Sequence, residues 1–285
     1  MSKLNRVKSF ERGLFRWLRA LSVVTALGFT ASGFNAAHAA PFTIDIRFLG
    51  HPLTLTQKNT IAEAAQRVSK LIASPFVPVT LDLPPNFCDP GLPRLKEKVQ
   101  HFFIFLKVKD LGEDVYGNAV PCDLHDGSYL PIYSLIELNS RGLKDLPKAD
   151  LLDTMIHEML HALGVGTLWE ADARVSLGGD SDNKSFVRKI GKNYFYTGPR
   201  ALAAYRALGG KQKAIPLDPD AGHWAGSVVC SEILSGEAGD FAGRVNPISP
   251  LTLGALEDLG YRVNVGAANR YTLPTNGCPV EDSED

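Results

Sequence analysis

The stretch of residues 150–163, Asp150-Leu151-Leu152-Asp153-Thr154-Met155-Ile156-His157-Glu158-Met159-Leu160-His161-Ala162-Leu163, decides how this chain is read. Leu152, Met155, Ile156, Met159, Leu160 and Leu163 recur at helical spacing and form one apolar stripe. Gly164 follows, a residue suited to the left-handed conformation that ends a helix. Each helical residue advances about 100°, so His157 and His161 project within about 40° of each other, one turn apart. The pair points about 150° away from the centre of the stripe. Two imidazoles so placed can grip a single cation.

Glu158 sits about 100° round from His157, too far to join that grip and well placed to meet a water on the metal. The division suits zinc hydrolysis. Neutral imidazoles hold the ion, the ion lowers the pKa of its water to about 7, and Glu158 as general base takes the proton. Chance produces the pattern roughly once in a hundred chains of this composition.

A catalytic zinc generally takes three protein ligands and keeps one position open. His51, His101, His125 and His223 are the remaining histidines once His38 is removed with the leader described below. Only His223 follows the helix, in Asp220-Ala221-Gly222-His223-Trp224, where a glycine-flanked turn can swing it over the site. Glu170 and Glu232 are the competing third ligands. His51, His101 and His125 read as structural or solvent-facing.

Working outward, residues 43–48 alternate as a strand, and a helix capped near Thr56 runs to about Ile72. Residues 101–109 and 129–138 read as strands, and the stretch between them, with Gly117, Pro121 and Gly127, reads as loop. Downstream of Gly164 strands become scarce. Residues 199–208 and 250–259 each place proline early and glycine just past the end, the signature of short helices. The expected architecture is α+β. An α/β N-terminal lobe (40–166) ends in the central helix, and a loop-rich C-terminal lobe (167–285) carries the third ligand.

Residues 1–39 combine six basic residues with a 14-residue mostly apolar run (21–34) and then Ala36-Ala37-His38-Ala39-Ala40. That is the pattern of a cleaved export signal, and the run is too short for the roughly 20 residues that span a bilayer. The remaining 246 residues carry 24 basic against 30 acidic side chains. This acidic balance argues against a nucleic-acid partner, and no later segment is apolar and long enough for stable membrane insertion. The expected location is outside the cytoplasm, secreted or periplasmic. All four cysteines lie after the leader; two disulfides are expected, and sequence proximity favours Cys88–Cys122 and Cys230–Cys278 among three pairings. Residues 178–183 (Gly-Gly-Asp-Ser-Asp-Asn) offer carboxylates to calcium but lack EF-hand spacing, and a polar turn is the simpler reading.

The sequence resembles the metzincin metalloproteases, specifically the leishmanolysin-like family in its secreted bacterial form. The metzincin signature is His-Glu-x-x-His-x-x-Gly-x-x-His. His157, Glu158, His161 and Gly164 match it, while Thr167 occupies the last position. Leishmanolysin-like enzymes insert a long segment before the third histidine, and 58 residues separate Gly164 from His223 here. The runs 157–169 (HEMLHALGVGTLW), 196–210 (YTGPRALAAYRALGG), 222–224 and 246–264 (NPISPLTLGALEDLGYRVN) also look like family segments, within a similarity specific over about 149–274. The resemblance implies a zincin fold, zinc on His157, His161 and His223, Glu158 as catalytic base, and hydrolysis of peptide bonds within protein or peptide substrates. The family carries a methionine in a turn beneath the zinc; here Ser231-Glu232-Ile233-Leu234-Ser235-Gly236 occupies that turn with Leu234 in the methionine's place. Leucine conserves volume and apolarity, a swap that usually costs under about 1.5 kcal/mol. A non-catalytic binding protein on the same fold is the alternative, motivated by that replacement.

Overall fold

Strands dominate the first half of the chain, and helices with short strands fill the second, giving the computed structural model a mixed α+β fold. Residues 40–50, 53–113, 115–177, 185–235, 245–274 and 278 are described. The expected leader (1–39), His51, the acidic loop 178–183 and the acidic tail lie outside them.

The principal sheet orders its strands β1 (Ile44–Leu49), β4 (Phe102–Lys109), β6 (Pro131–Asn139) and β5 (Gly117–Leu124). β1, β4 and β6 run parallel, in registers such as Ile44 with Phe102 and Phe103 with Tyr133, and β5 pairs antiparallel to β6. All nine residues of β6 are buried, which explains the continuous apolar runs: these strands are covered on both faces. Phe102, Ile104, Leu106, Ile136 and Leu138 share a core with helices α1 (Leu55–Ser69) and α2 (Lys148–Ala162). On the opposite face Phe103, Phe105, Tyr133 and Leu135 pack with Leu81, Leu95 and Val99 of a hairpin, β2 (Val79–Leu83) and β3 (Leu95–Val99).

Two expectations need correction. The stretch read as loop forms β5. Its Pro121, normally a strand breaker, is tolerated because β5 is an edge strand whose register shifts between Pro121 and Asp123. The first helix is capped by Thr54 rather than near Thr56, through a reciprocal pairing of Thr54 with Gln57.

Helix α2 follows its sequence signature. The six stripe residues are all buried, each worth about 1.5–3 kcal/mol of transfer from water, far above any propensity difference along the helix. Its last carbonyls need partners because the helix end is buried. Thr167 Oγ1 donates to His161 O, Ser134 Oγ to Ala162 O, and Tyr261 Oη to Leu163 O, at 2.7, 2.7 and 3.1 Å.

The second half contains α3 (Ala171–Ser176), a three-stranded sheet of β7 (Val187–Ile190), β8 (Asn193–Tyr196) and β9 (Ile215–Pro216), then α4 (Pro199–Ala207), α5 (Gly226–Val229) and α6 (Pro250–Leu259). Trp169, Tyr196 and Trp224 cluster with ring centroids 4.7–5.2 Å apart. α6 has Ser249 as its N-cap and Gly260 in the left-handed conformation, φ 113°, just past its end. Cysteines pair as Cys88–Cys122 and Cys230–Cys278, each with Cα atoms 5.3 Å apart. No helix among the described residues is long and apolar enough to cross a membrane.

Asp153, fully buried on α2, ties the helix to the later chain by accepting hydrogen bonds from Asn246 N and Nδ2 at 2.5 and 3.1 Å. Burial pushes its carboxyl up to about 6, against the pull of those donors. The folded state therefore holds this proton more tightly than the unfolded chain, and the group's contribution to stability falls as pH rises from about 4 through about 6. Urea unfolding of metal-free wild type and Asp153→Asn at pH 4 and pH 7 should show it. The wild type loses up to about 3 kcal/mol relative to the variant across that interval; parallel pH profiles would refute the assignment.

Candidate metal centre

α2 delivers His157 and His161 on one side, as the helical spacing requires. His223 arrives from a turn in which Ala221 adopts φ 61°, Ala221 N donates to Asp218 O, and Asp218 N donates to His223 O. The three Nε2 atoms form a triangle: His157 to His223 3.1 Å, His161 to His157 3.0 Å, His161 to His223 3.0 Å. Among the described residues this is the group of side chains able to hold a metal ion. Glu232 is buried elsewhere, its oxygens bonded to Leu234, Ser249 and Thr252, and Glu170 is exposed and outside the group. His101 meets Thr43, and His125 lies edge-on to Phe76.

The opposite ring nitrogens determine what the triangle is. His157 Nδ1 lies 2.7 Å from Ile233 O, His161 Nδ1 2.7 Å from Val165 O, and His223 Nδ1 2.5 Å from Asp220 Oδ2. All three partners only accept, so each Nδ1 carries the proton. Each Nε2 then presents a lone pair, and three lone pairs meet at about 3 Å with no proton between them. That arrangement is unfavourable in the bare protein and fits a cation, since nitrogens around one ion at the 2.0–2.1 Å typical of zinc–imidazole bonds lie about this far apart. Imidazole donors suit zinc, copper, iron and nickel.

Electrostatics favour the same state. Burial first, and the neighbouring His223 second, push His157 down to about 4. Burial and both neighbouring imidazoles hold His161 well below its ordinary value. Asp220, bonded by His223, falls to about 2 and stays a carboxylate. Glu158 is moved the other way, up to about 8, by burial.

Two glycines make the closeness possible. Gly166, at φ 80°, passes so near the His223 turn that a Cβ there would lie 2.2 Å from Gly222 O and 2.9 Å from the His161 ring. Gly117 on β5 lets Glu158 lie against the strand, where a Cβ would come within 2.8 Å of Glu158 Cγ and Oε1. Thr167, in the last position of the histidine signature, instead caps α2 as described above. The turn at 231–235 abuts the triad through the Ile233 carbonyl, with Leu234 fully buried. Sequence reading missed Asp220 and Gly117. An acid three residues before a glycine-flanked histidine was a usable signal for Asp220. Nothing in the sequence marked Gly117 as facing Glu158.

No protein-family model matches this chain, and no curated protein matches it in sequence.

Substitution Gly166→Ala tests the packing of the triangle. A methyl there must move the Gly222 carbonyl, and with it His223. Metal titration calorimetry is expected to show affinity lowered by about tenfold or more, the range seen when ligand orientation is lost; unchanged affinity would mean that Gly166 does not set the triangle.

Proposed function

We propose that this chain is an exported zinc metalloendopeptidase of leishmanolysin-like type, with His157, His161 and His223 as metal ligands and Glu158 as general base. The observation that carries the reading is the convergence of three imidazole lone pairs, with the buried Glu158 next to His157 on the same helix. The motif resemblance supports it, and two disulfides accord with an oxidising compartment.

Bound zinc supplies a Lewis acid for the scissile carbonyl and lowers the pKa of a held water to about 7. The three histidines hold the site neutral and rigid, each fixed by its Nδ1 acceptor. Glu158 takes the proton of the attacking water; as the C–N bond breaks, the same carboxyl returns it to the leaving nitrogen. Burial alone keeps Glu158 protonated at neutral pH. A nearby dication favours its ionised form, so base function depends on metal loading. Among the described strands β5 pairs only with β6, and its free edge, next to Glu158 through Gly117, suits an extended peptide laid alongside by strand addition. Leu234, buried where the family keeps methionine, preserves the apolar floor.

The mature protein should cleave casein in a chelator-sensitive manner. Glu158→Gln is expected to keep its zinc and lose activity by about 10²–10⁴-fold. Full activity in that variant would refute the base assignment, and a zinc-loaded but hydrolytically silent wild type would favour the binding-protein alternative.

Gly117→Ala makes a separate prediction, because the added methyl must displace the Glu158 side chain without touching a ligand. Zinc content should stay that of the wild type while kcat falls by about ten- to a hundredfold, the cost of a misplaced catalytic group. Wild-type kcat would show that the strand does not position Glu158.

A further inference from the structure

The peptide unit joining Ile233 to Leu234 is bonded at both ends. Its carbonyl accepts the Nδ1 proton of His157 at 2.7 Å, and its N–H donates to Glu232 Oε2, also at 2.7 Å. The other carboxyl oxygen, Oε1, accepts from Ser249 N, Ser249 Oγ and Thr252 Oγ1 at 3.0, 2.9 and 2.7 Å. The hydroxyl protons can be assigned. Ser249 Oγ accepts from Leu251 N and Thr252 N as the cap of α6, and Thr252 Oγ1 accepts from Trp224 Nε1, so both hydroxyls are free to donate to Glu232. Glu232 is fully buried, takes four hydrogen bonds and has no acceptor for a proton of its own. Burial raises its carboxyl and these donors pull the other way; donors on both oxygens make the hydrogen-bond geometry that of a carboxylate.

We propose that Glu232 is a positioning residue for His157, acting through the Ile233–Leu234 peptide to orient and polarise the carbonyl that holds the ligand's Nδ1 proton. This rests on the metal-site reading above. A carboxylate bonded to a peptide N–H draws that proton and strengthens the carbonyl at the other end as an acceptor, since linked hydrogen bonds polarise one another. The stronger acceptor fixes the His157 tautomer and raises the basicity of Nε2, the effect that a direct carboxylate partner gives a metal-bound histidine. His223 has its carboxylate, Asp220, in direct contact; His157 has one at a peptide's remove. The Thr252–Trp224 link extends the same carboxylate's hold to the residue after His223. A glutamine cannot substitute. Donors face both carboxyl oxygens, so its NH2 group would oppose an N–H or O–H in either orientation.

The test compares Glu232→Gln with Asp258→Asn. Asp258 is a brace with no hydrogen bond to the triad or to the 231–235 turn, accepting instead from Arg200 N, Ala201 N and Tyr196 Oη. Zinc affinity of the folded, metal-depleted proteins is measured by competition with a chromophoric chelator, and cobalt-loaded samples give the ligand-field spectrum. Glu232→Gln is expected to bind zinc about tenfold or more weakly with a shifted cobalt spectrum, while Asp258→Asn loses stability and keeps both wild-type values. A folded Glu232→Gln protein with wild-type affinity and spectrum overturns this proposal alone; a wild type that takes up no zinc overturns the site itself. The native protein offers a second reading that needs no variant. In a zinc titration followed by amide resonances, Leu234 N–H should move and those of Arg200 and Ala201 should not. An unmoved Leu234 amide overturns the relay.

Discussion

Three unprotonated nitrogens held 3.0–3.1 Å apart are the constraint around which the molecule is arranged. Left alone, imidazoles in such a cluster would rotate, exchange tautomers or take up protons. Here each is prevented from doing so by an acceptor on its far side, and the acceptors come from three different places: the exit turn of α2 (Val165), the turn before α6 (Ile233) and the loop of His223 itself (Asp220). Burial adds to this by making the protonated state costly. The energy that keeps the lone pairs together is therefore spread over the packing of both halves of the chain.

Among its described residues the second half does this without a large sheet. Its strands are short, and its segments are joined instead by carboxylates that accept backbone N–H groups across long sequence distances: Asp153 to Asn246, 93 residues away, Asp258 to Arg200, 58 away, and Glu232 to Ser249, 17 away. A buried carboxylate is costly unless satisfied, and satisfied it is specific. Around them the Trp169–Tyr196–Trp224 cluster and the Cys230–Cys278 disulfide supply the apolar and covalent parts of the same task.

Much of this was legible beforehand, for identifiable reasons. The helix carrying His157 and His161 announced itself because a single apolar stripe and a terminal glycine agree on one period. The cysteine pairing followed from proximity. The terminal helices 199–207 and 250–259 were marked by proline and glycine. β5 escaped because Pro121 and its flanking glycines obey turn statistics, and only the strand's place at the sheet edge makes them acceptable. β2 and β3 (Val-Thr-Leu-Asp-Leu and Leu-Lys-Glu-Lys-Val) alternate as strands should, a pattern too short to stand out until they pair. For the third ligand, spacing left His223 against Glu170 and Glu232; only tertiary folding brings one of them to the pair. Val165 and Ile233 act through main-chain carbonyls, which no residue code reveals.

The separation of the ligands has a bearing on when the centre comes into being. His157 and His161 are adjacent turns of one helix, but His223 lies 66 and 62 positions further on. An intermediate whose second half is still undocked offers an ion two nitrogens and nothing more. Completion of the chain's collapse and acquisition of a tight binding site are thus a single event. An ion held by all three nitrogens would act as a clock hand for maturation, taken up only once the last long-range contacts have closed.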